Sequence, residues 1–172
     1  MNTFCKRKQI RLKNYNYSEA GYYFVTICTH NKLNLLSNIV GGGFHAAPPI
    51  ELTTIGKEIV KTIEYINNHY TDVEIDKYVV MPNHIHFIII LKNSQLGGRG
   101  NPPLHRIVGQ FKSYTNKIYN DLNKTKKLIL WQRNYYEHII RNEREYQEIF
   151  EYIQINPLKW KEDKYYLQDI SS

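Results

Sequence analysis

The segment HIHFIIIL, residues 84–91, constrains the fold more than any other part of this 172-residue chain. Its isoleucine-rich apolar run is typical of a buried β-strand. Because successive side chains of a strand point to opposite faces of the sheet, His84 and His86 share one face. Their Cα atoms are then roughly 7 Å apart, so that both imidazoles can bind one divalent cation. The pattern predicts either a metal site on a rigid strand or two hydrogen-bonded core histidines.

Hydrophobic periodicity predicts the remaining elements. They are, in chain order, a strand over 22–29, a helix over 54–66, a strand over 73–81, a helix over 104–122, a strand through 131 with a second extended stretch reaching 140, and a helix over 142–155. Asn142, with Glu145 three residues on, is the predicted cap of the last helix. This order matches a ferredoxin-like α+β fold, an antiparallel sheet with helices on one face, to which a C-terminal helix is added.

The chain length predicts one domain over residues 1–172, long enough to bury a core without disulfides. Residues 1–15 form a basic arm, and Gly/Pro-rich composition predicts flexible loops over 38–50 and 94–103. Cys5 and Cys28 have no metal or disulfide spacing, and no segment has the apolar length of a signal peptide or a membrane span. We therefore expect a cytoplasmic protein with no membrane partner.

The charge balance indicates a polyanionic partner. The chain has 23 Lys and Arg against 16 Asp and Glu, a formal net charge of +7. This excess favours nucleic acid over a small acidic substrate, and the 15 tyrosines suit stacking on unpaired bases. The candidate phosphate contacts are Lys6, Arg7, Arg11, Lys112, Arg133 and Arg141. Each of them is alternatively a solvated surface charge.

The predicted C-terminal helix carries a second pair of polar residues. Tyr152 and Asn156 are four residues apart, so they lie on one helical face. If that face packs on the histidine side of the sheet, the Asn156 amide oxygen completes a His, His, Asn site suited to Mg²⁺ or Mn²⁺. Tyr152 would then attack a DNA phosphate and form a phosphotyrosine, whose bond energy allows rejoining without ATP. Alternatively, Tyr152 packs in the core and Asn156 only ends the helix before Pro157.

These residues lie in segments that resemble one known family, the REP-associated tyrosine transposases, within the insertion-sequence HUH (His-hydrophobic-His) single-tyrosine transposases. The resemblance is carried by MPNHIH and by WQRNYYEHIIRNE together with YIQINP, with support from RLKNYNYSEAGYYFVTICTHN and IVGQFKSYTNKI. It implies a ferredoxin-like fold, a divalent metal, and cleavage of single-stranded, hairpin-containing DNA through a 5′-phosphotyrosine. By position it implies that His84 and His86 are the HUH pair, Tyr152 the nucleophile and Asn156 the third ligand.

Other interpretations stay open at this point. Tyr136, next to Glu137 and His138, is an alternative nucleophile. The same sheet could form a non-catalytic module that stacks tyrosines on single-stranded nucleic acid, although the chain lacks the aromatic pattern of that class. A HUH nickase of replication initiation would share the chemistry but act at an origin. In the transposase interpretation the partner is single-stranded or hairpin DNA, and the chain is a monomer or a homodimer.

Overall fold

A computed structural model describes residues 20–40, 49–92 and 103–166 of the chain. In chain order its elements are β1 (Gly21–Cys28), β2 (Ser37–Ile39), β3 (Ile50–Leu52), α1 (Thr54–His69), β4 (Val73–Val80), β5 (His84–Leu91), α2 (Pro103–Leu122), β6 (Tyr136–Ile140) and α3 (Glu143–Ile155). The main sheet has the order β4-β5-β1-β6, with every neighbouring pair antiparallel. The predicted ferredoxin-like α+β fold is confirmed, because this strand order and direction define it.

The two faces of the sheet bury two separate cores. Alternate residues of the inner strands, such as Val25 and Phe87, pack under α1 and α2 in the larger core. The opposite face packs against α3 through a smaller core that includes Phe24, Ile88 and Ile153. Helices therefore cover both faces, with α3 as the added helix that the sequence predicts.

The strand register places the histidines on the α3 face. In the β1–β5 pair, His86 lies opposite Thr26 and His84 lies opposite Cys28. Strand β5 has hydrogen-bonded neighbours on both sides, so its backbone is held along its length. The alternation of β5 thus directs Ile85, Phe87 and Ile89 into the larger core and the two histidines toward the C-terminal helix.

Side-chain caps fix the starts of α1 and α3. The Thr53 hydroxyl accepts a hydrogen bond of 3.1 Å from the backbone N–H of Gly56, near the start of α1. A Cβ at Gly56 would lie 2.1 Å from the carbonyl oxygen of Leu36, so only glycine fits this approach of helix to chain. At α3 the Asn142 side chain accepts from the N–H of Glu145 at 2.9 Å, which confirms the predicted cap.

One predicted strand is wrong. The stretch through Trp131 forms only an isolated bridge to Thr29, and the fourth strand of the sheet is β6. The reason is that side-chain amides of α2 take the place of a strand partner: the N–H groups of Leu128 and Leu130 donate to Asn120 and Asn116.

The predicted bounds of the loop over 38–50 are also wrong at both ends, and residues 41–48 lie outside the described residues. Residues 38, 39 and 50 belong to β2 and β3, which pair as a separate two-stranded sheet. Strands of three residues are too short to produce a recognisable alternation. Residues 94–102 of the other predicted loop lie outside the described residues, and its last residue, Pro103, is the first residue of α2, a position that proline favours. Within the described ranges, no helix is both long and apolar enough to cross a membrane.

Candidate metal and tyrosine site

The two histidines of β5 form a buried, convergent pair. His84 is fully buried and His86 is 1% exposed. Their Nε2 atoms lie 3.1 Å apart, a separation that suits two adjacent ligands of one cation about 2.1 Å from each. The predicted geometry of a shared face is therefore present in the side chains as well as in the backbone.

Asn83 fixes the protonation of His84. The Asn83 Nδ2 group donates to the carbonyl oxygens of Lys32 (3.2 Å) and Tyr165 (2.9 Å), which determines the orientation of the amide. Its Oδ1 atom can only accept, so it accepts from His84 Nδ1, 2.9 Å away. His84 consequently presents an unprotonated Nε2 toward His86. An outer hydrogen bond of this kind is typical of metal-binding histidines.

His86 has a partner that suits either of its neutral forms. The hydroxyl of Thr26 lies 2.8 Å from His86 Nδ1, and a hydroxyl can donate or accept. Because His84 Nε2 carries no proton, the contact between the two Nε2 atoms requires the proton of His86. Rotation of the Thr26 hydroxyl lets that proton move to Nδ1, which leaves both Nε2 atoms free to bind a cation.

Burial keeps both imidazoles neutral at physiological pH. It lowers the pKa of His84 to about 4, and the positive charges of Lys164 and Lys32 oppose protonation further. Burial also holds the pKa of His86 well below its ordinary value, with a contribution from His84 itself. Neutral imidazole is the form that coordinates metals.

Tyr152 of α3 lies beside this pair. Its hydroxyl is 3.3 Å from His86 Nε2, and its ring packs edge-on against Phe24, with centroids 6.0 Å apart. Burial raises the pKa of Tyr152 to about 12, and the negative charge of Asp163 contributes to the rise. The phenol is therefore protonated at neutral pH and needs added positive charge at the site to become a nucleophile.

Asn156, one turn after Tyr152, supplies an oxygen that suits a metal. It is 3% exposed, and its Nδ2 group donates to Asp163 Oδ2 at 3.0 Å. Its Oδ1 atom is buried and has no hydrogen-bond partner among the described residues. An unpaired buried carbonyl is unfavourable unless a ligand satisfies it, so the residues present fit a hard divalent cation.

Asp163 brings a carboxylate to the histidines. It follows α3 and the short 3₁₀ turn Trp160–Glu162, and ligand atoms of His84, His86 and Asp163 all lie within 4.8 Å of one another. Tyr152, Asn156 and Asp163 also line a cleft of about 420 Å³, which opens the site to solvent.

The chain matches a known protein family over most of its length. A family described as "Transposase IS200 like" matches residues 52–156, a range that includes both histidines, Tyr152 and Asn156. The chain belongs to the IS200-like transposase family. The family that the sequence motifs suggested is therefore confirmed at this level.

Two relatives of this IS200-like transposase support the assignment. An uncharacterized protein of Haemophilus influenzae (strain ATCC 51907 / DSM 11121 / KW20 / Rd) is 37% identical over 178 residues, covering 94% of this chain and 93% of the relative. The solved structure of a REP-associated tyrosine transposase bound to a REP hairpin matches with a TM-score of 0.56 and 23% identity. The match covers 90% of this chain and 76% of the REP-associated transposase chain, and it shows that the two proteins share a fold.

The second tyrosine that the sequence offers as a candidate nucleophile lies in the same cleft. Tyr136 on β6 lines it, and the Lys164 ammonium group is 5.3 Å from the Tyr136 ring centroid. Tyr136 is 38% exposed and its ring packs edge-on against Phe24. Of the two tyrosines, Tyr152 is the one whose hydroxyl has a hydrogen-bond contact to His86.

Those of the predicted phosphate contacts that the structure describes lie at two places, Lys112 with Arg133 and Arg141 by itself. Lys112 donates to the carbonyl oxygens of Gln132 (2.6 Å) and Arg133 (2.9 Å), so it holds the chain after α2, and both Lys112 and Arg133 line a shallow cleft away from the histidines. Arg141 is exposed next to the start of α3. Lys6, Arg7 and Arg11 lie outside the described residues. DNA binding by these six residues stays a prediction.

Sequence reasoning missed two residues of the site, Asn83 and Asp163. Asn83 stands in a Pro-Asn connection that is typical of a turn. The sequence therefore explains Asn83 as a turn residue and gives no sign that its amide binds the ring of His84. Asp163 lies seven residues beyond Asn156, past the end of the family match, in a segment with no helical period. Only the tertiary structure brings it to the histidines.

Proposed function

We propose that this IS200-like transposase cleaves and rejoins single-stranded, hairpin-containing DNA with Tyr152 as the nucleophile and Mg²⁺ or Mn²⁺ as cofactor. The observation that carries the proposal is the position of the Tyr152 hydroxyl, 3.3 Å from a buried histidine pair whose nitrogens converge. A phenol, two neutral imidazoles and an unpaired amide oxygen close to one another are the groups that a metal-assisted phosphoryl transfer needs.

In the proposed reaction the Tyr152 oxygen attacks a backbone phosphorus and loses its proton. A new P–O bond to tyrosine forms, the bond from phosphorus to the 3′ oxygen breaks, and the 3′ oxygen leaves as a hydroxyl after it takes up a proton. The product is a 5′-phosphotyrosine and a free 3′-hydroxyl end. Attack by a 3′-hydroxyl on the phosphotyrosine reverses the step and joins strands.

The residues of the chain have distinct tasks in this reaction. His84, His86 and Asn156 would hold the cation. When bound, it would polarise the phosphate and favour the phenolate form of Tyr152. Phe24 orients the Tyr152 ring by edge-on packing. Lys164 places a positive charge at the cleft, where the scissile phosphate must approach.

The assignment of DNA as partner has two supports. The structural relative is bound to a REP hairpin, and this chain carries a formal net charge of +7.

Tyr152 lies next to the histidines of its own chain, so each copy contains the groups for one cleavage. We therefore propose that a single chain performs the reaction, whether it is a monomer or one half of a homodimer.

The test incubates the full chain with labelled single-stranded oligonucleotides that fold into hairpins, in Mg²⁺ or Mn²⁺, and resolves covalent adducts on a denaturing gel. We expect an adduct that Tyr152→Phe and a chelator abolish. Tyr136→Phe is the matched control, because it removes a hydroxyl from the same cleft, and it should retain the adduct.

Two results would contradict the proposal. An adduct that survives Tyr152→Phe but disappears with Tyr136→Phe would move the nucleophile to β6. Tight binding of many hairpins without any adduct in either metal would favour the non-catalytic binding module.

A further inference from the structure

Asp163 lies where a fourth ligand of the proposed cation would be. Its carboxylate is in a group with His84 and His86 whose ligand atoms are all within 4.8 Å of one another. Two ligands that are each about 2.1 Å from a cation can be at most about 4.2 Å apart. The separation of these ligand atoms is therefore close to that of a coordination shell, and a small inward movement of the side chains would complete it.

The Asp163 carboxylate is already oriented by hydrogen bonds. Oδ2 accepts from Asn156 Nδ2 at 3.0 Å, and Oδ1 accepts from the backbone N–H of Tyr165 at 2.6 Å. A carboxylate has about four lone-pair positions, so these two bonds leave it able to coordinate. The bond to Asn156 also fixes that amide, which leaves its Oδ1 as the unpaired oxygen described above.

Charge gives a second reason to expect an anionic ligand here. The two imidazoles and the Asn156 amide are neutral, and Lys164 and Lys32 act on His84 as positive charges. A divalent cation would therefore enter a site of unfavourable potential if no carboxylate contributed. Asp163 acts on His84 with the opposite sign. Carboxylate oxygen is also the ligand type that Mg²⁺ and Mn²⁺ prefer.

We propose that Asp163 is a ligand of the catalytic cation, together with His84 and His86. The inference rests on the proposed function, because it presupposes that the site binds a metal. It has a structural consequence as well: cation binding would tie the segment after α3 to strand β5. Residues 157–166 should then become more protected when metal is added.

The experiment titrates the full chain with Mn²⁺ in the absence of DNA and measures free Mn²⁺ by electron paramagnetic resonance. Asp163→Asn keeps the size of the side chain and removes its charge. Glu162→Gln removes the same charge from the neighbouring exposed position and is the matched control. We expect Asp163→Asn to raise the Mn²⁺ dissociation constant at least tenfold, and Glu162→Gln to leave it within twofold of the wild type.

The outcomes separate the inference from the proposed function. If Asp163→Asn binds Mn²⁺ as the wild type does, the inference is overturned while the histidine site stands. The second control is the double variant His84→Ala, His86→Ala, which should lose Mn²⁺ binding. If the wild type binds no Mn²⁺, or if it binds no more Mn²⁺ than this double variant does, both the proposed function and the inference fail.

A second measurement covers the case in which Asp163→Asn does not fold. Hydrogen exchange of the wild type with and without Mn²⁺ follows the backbone N–H of Tyr165, which donates to Asp163. We expect slower exchange in residues 157–166 with Mn²⁺ and unchanged exchange in α1. Unchanged exchange in residues 157–166 at saturating Mn²⁺ would overturn the inference.

Discussion

Substitution of Asn83 by alanine is expected to weaken both the fold and metal binding. The Asn83 side chain is fully buried and makes three hydrogen bonds, to the carbonyl oxygens of Lys32 and Tyr165 and to the ring of His84. At about 1 kcal/mol for each bond, Asn83→Ala should lower the free energy of unfolding by about 3 kcal/mol. Urea denaturation of the metal-free protein measures this loss.

The effect on metal binding has its own cause. Without the Asn83 Oδ1 atom, no other residue in the described part of the chain accepts a hydrogen bond from His84 Nδ1, so the ring loses the contact that keeps Nε2 unprotonated and directed at His86. Loss of such an outer hydrogen bond typically weakens metal affinity about 10- to 100-fold. We expect the Mn²⁺ dissociation constant of Asn83→Ala, measured below the temperature at which it unfolds, to rise within that range.

Asn67→Ala is the matched control for this prediction. The Asn67 side chain also pairs with backbone, accepting from the N–H of Ile75 at 2.7 Å and donating to its carbonyl at 3.0 Å, but it lies on α1, across the sheet from the histidines. At the same value per bond, Asn67→Ala should lower the free energy of unfolding by about 2 kcal/mol. It should leave the Mn²⁺ affinity unchanged. Equal Mn²⁺ affinities for the wild type, Asn67→Ala and Asn83→Ala would refute the positioning role of Asn83.

Two further predictions concern stability. Gly56→Ala should lower the free energy of unfolding by more than about 2 kcal/mol, because its Cβ would lie 2.1 Å from the Leu36 carbonyl oxygen; Gly109→Ala, with open space around the new Cβ, should raise it by up to about 1 kcal/mol. The backbone N–H of Arg141 donates to the Glu145 carboxylate and lowers its pKa from the ordinary value of 4.5. The negative charge of Glu145 therefore stabilises the fold at pH values above 4.5, and this stabilisation is lost as the pH falls through the lowered pKa of the folded state. Glu145→Gln should be less stable than the wild type at pH 7, by under about 1 kcal/mol at this solvated site, and equal to it near pH 2; a difference independent of pH would contradict the assignment.

The parts of the site that the sequence predicts are those whose signal is local. A spacing of two residues in a strand places His84 and His86 on one face, and a spacing of four in a helix aligns Tyr152 with Asn156. The structure brings these four residues to one place because β5 and α3 pack through the smaller core. The fold class follows from the order of elements for a similar reason, since periodicity identifies each long element by itself.

The parts that could not be predicted depend on contacts between distant segments. Leu128 and Leu130 have the pattern of a strand, but side-chain amides of α2 bind their N–H groups, and pairing with the chain after β1 is limited to the bridge between Thr29 and Trp131. Asn83 and Asp163 have no periodic signal, and their roles arise from the ring of His84 and the amide of Asn156. Spacing within one element says nothing about such pairs.

The charges at the site imply that the cation and the DNA phosphate favour each other's binding. Burial lowers the pKa of His84, and Lys164 and Lys32 lower it further, so these lysines also oppose the entry of a divalent cation. A DNA phosphate would offset their charge, but only after the DNA has bound. Asp163 offsets part of it in the free protein. Because two lysines and one carboxylate leave a net positive charge, we expect a bound phosphate to favour cation binding and a bound cation to favour phosphate binding, since the two ligands have charges of opposite sign.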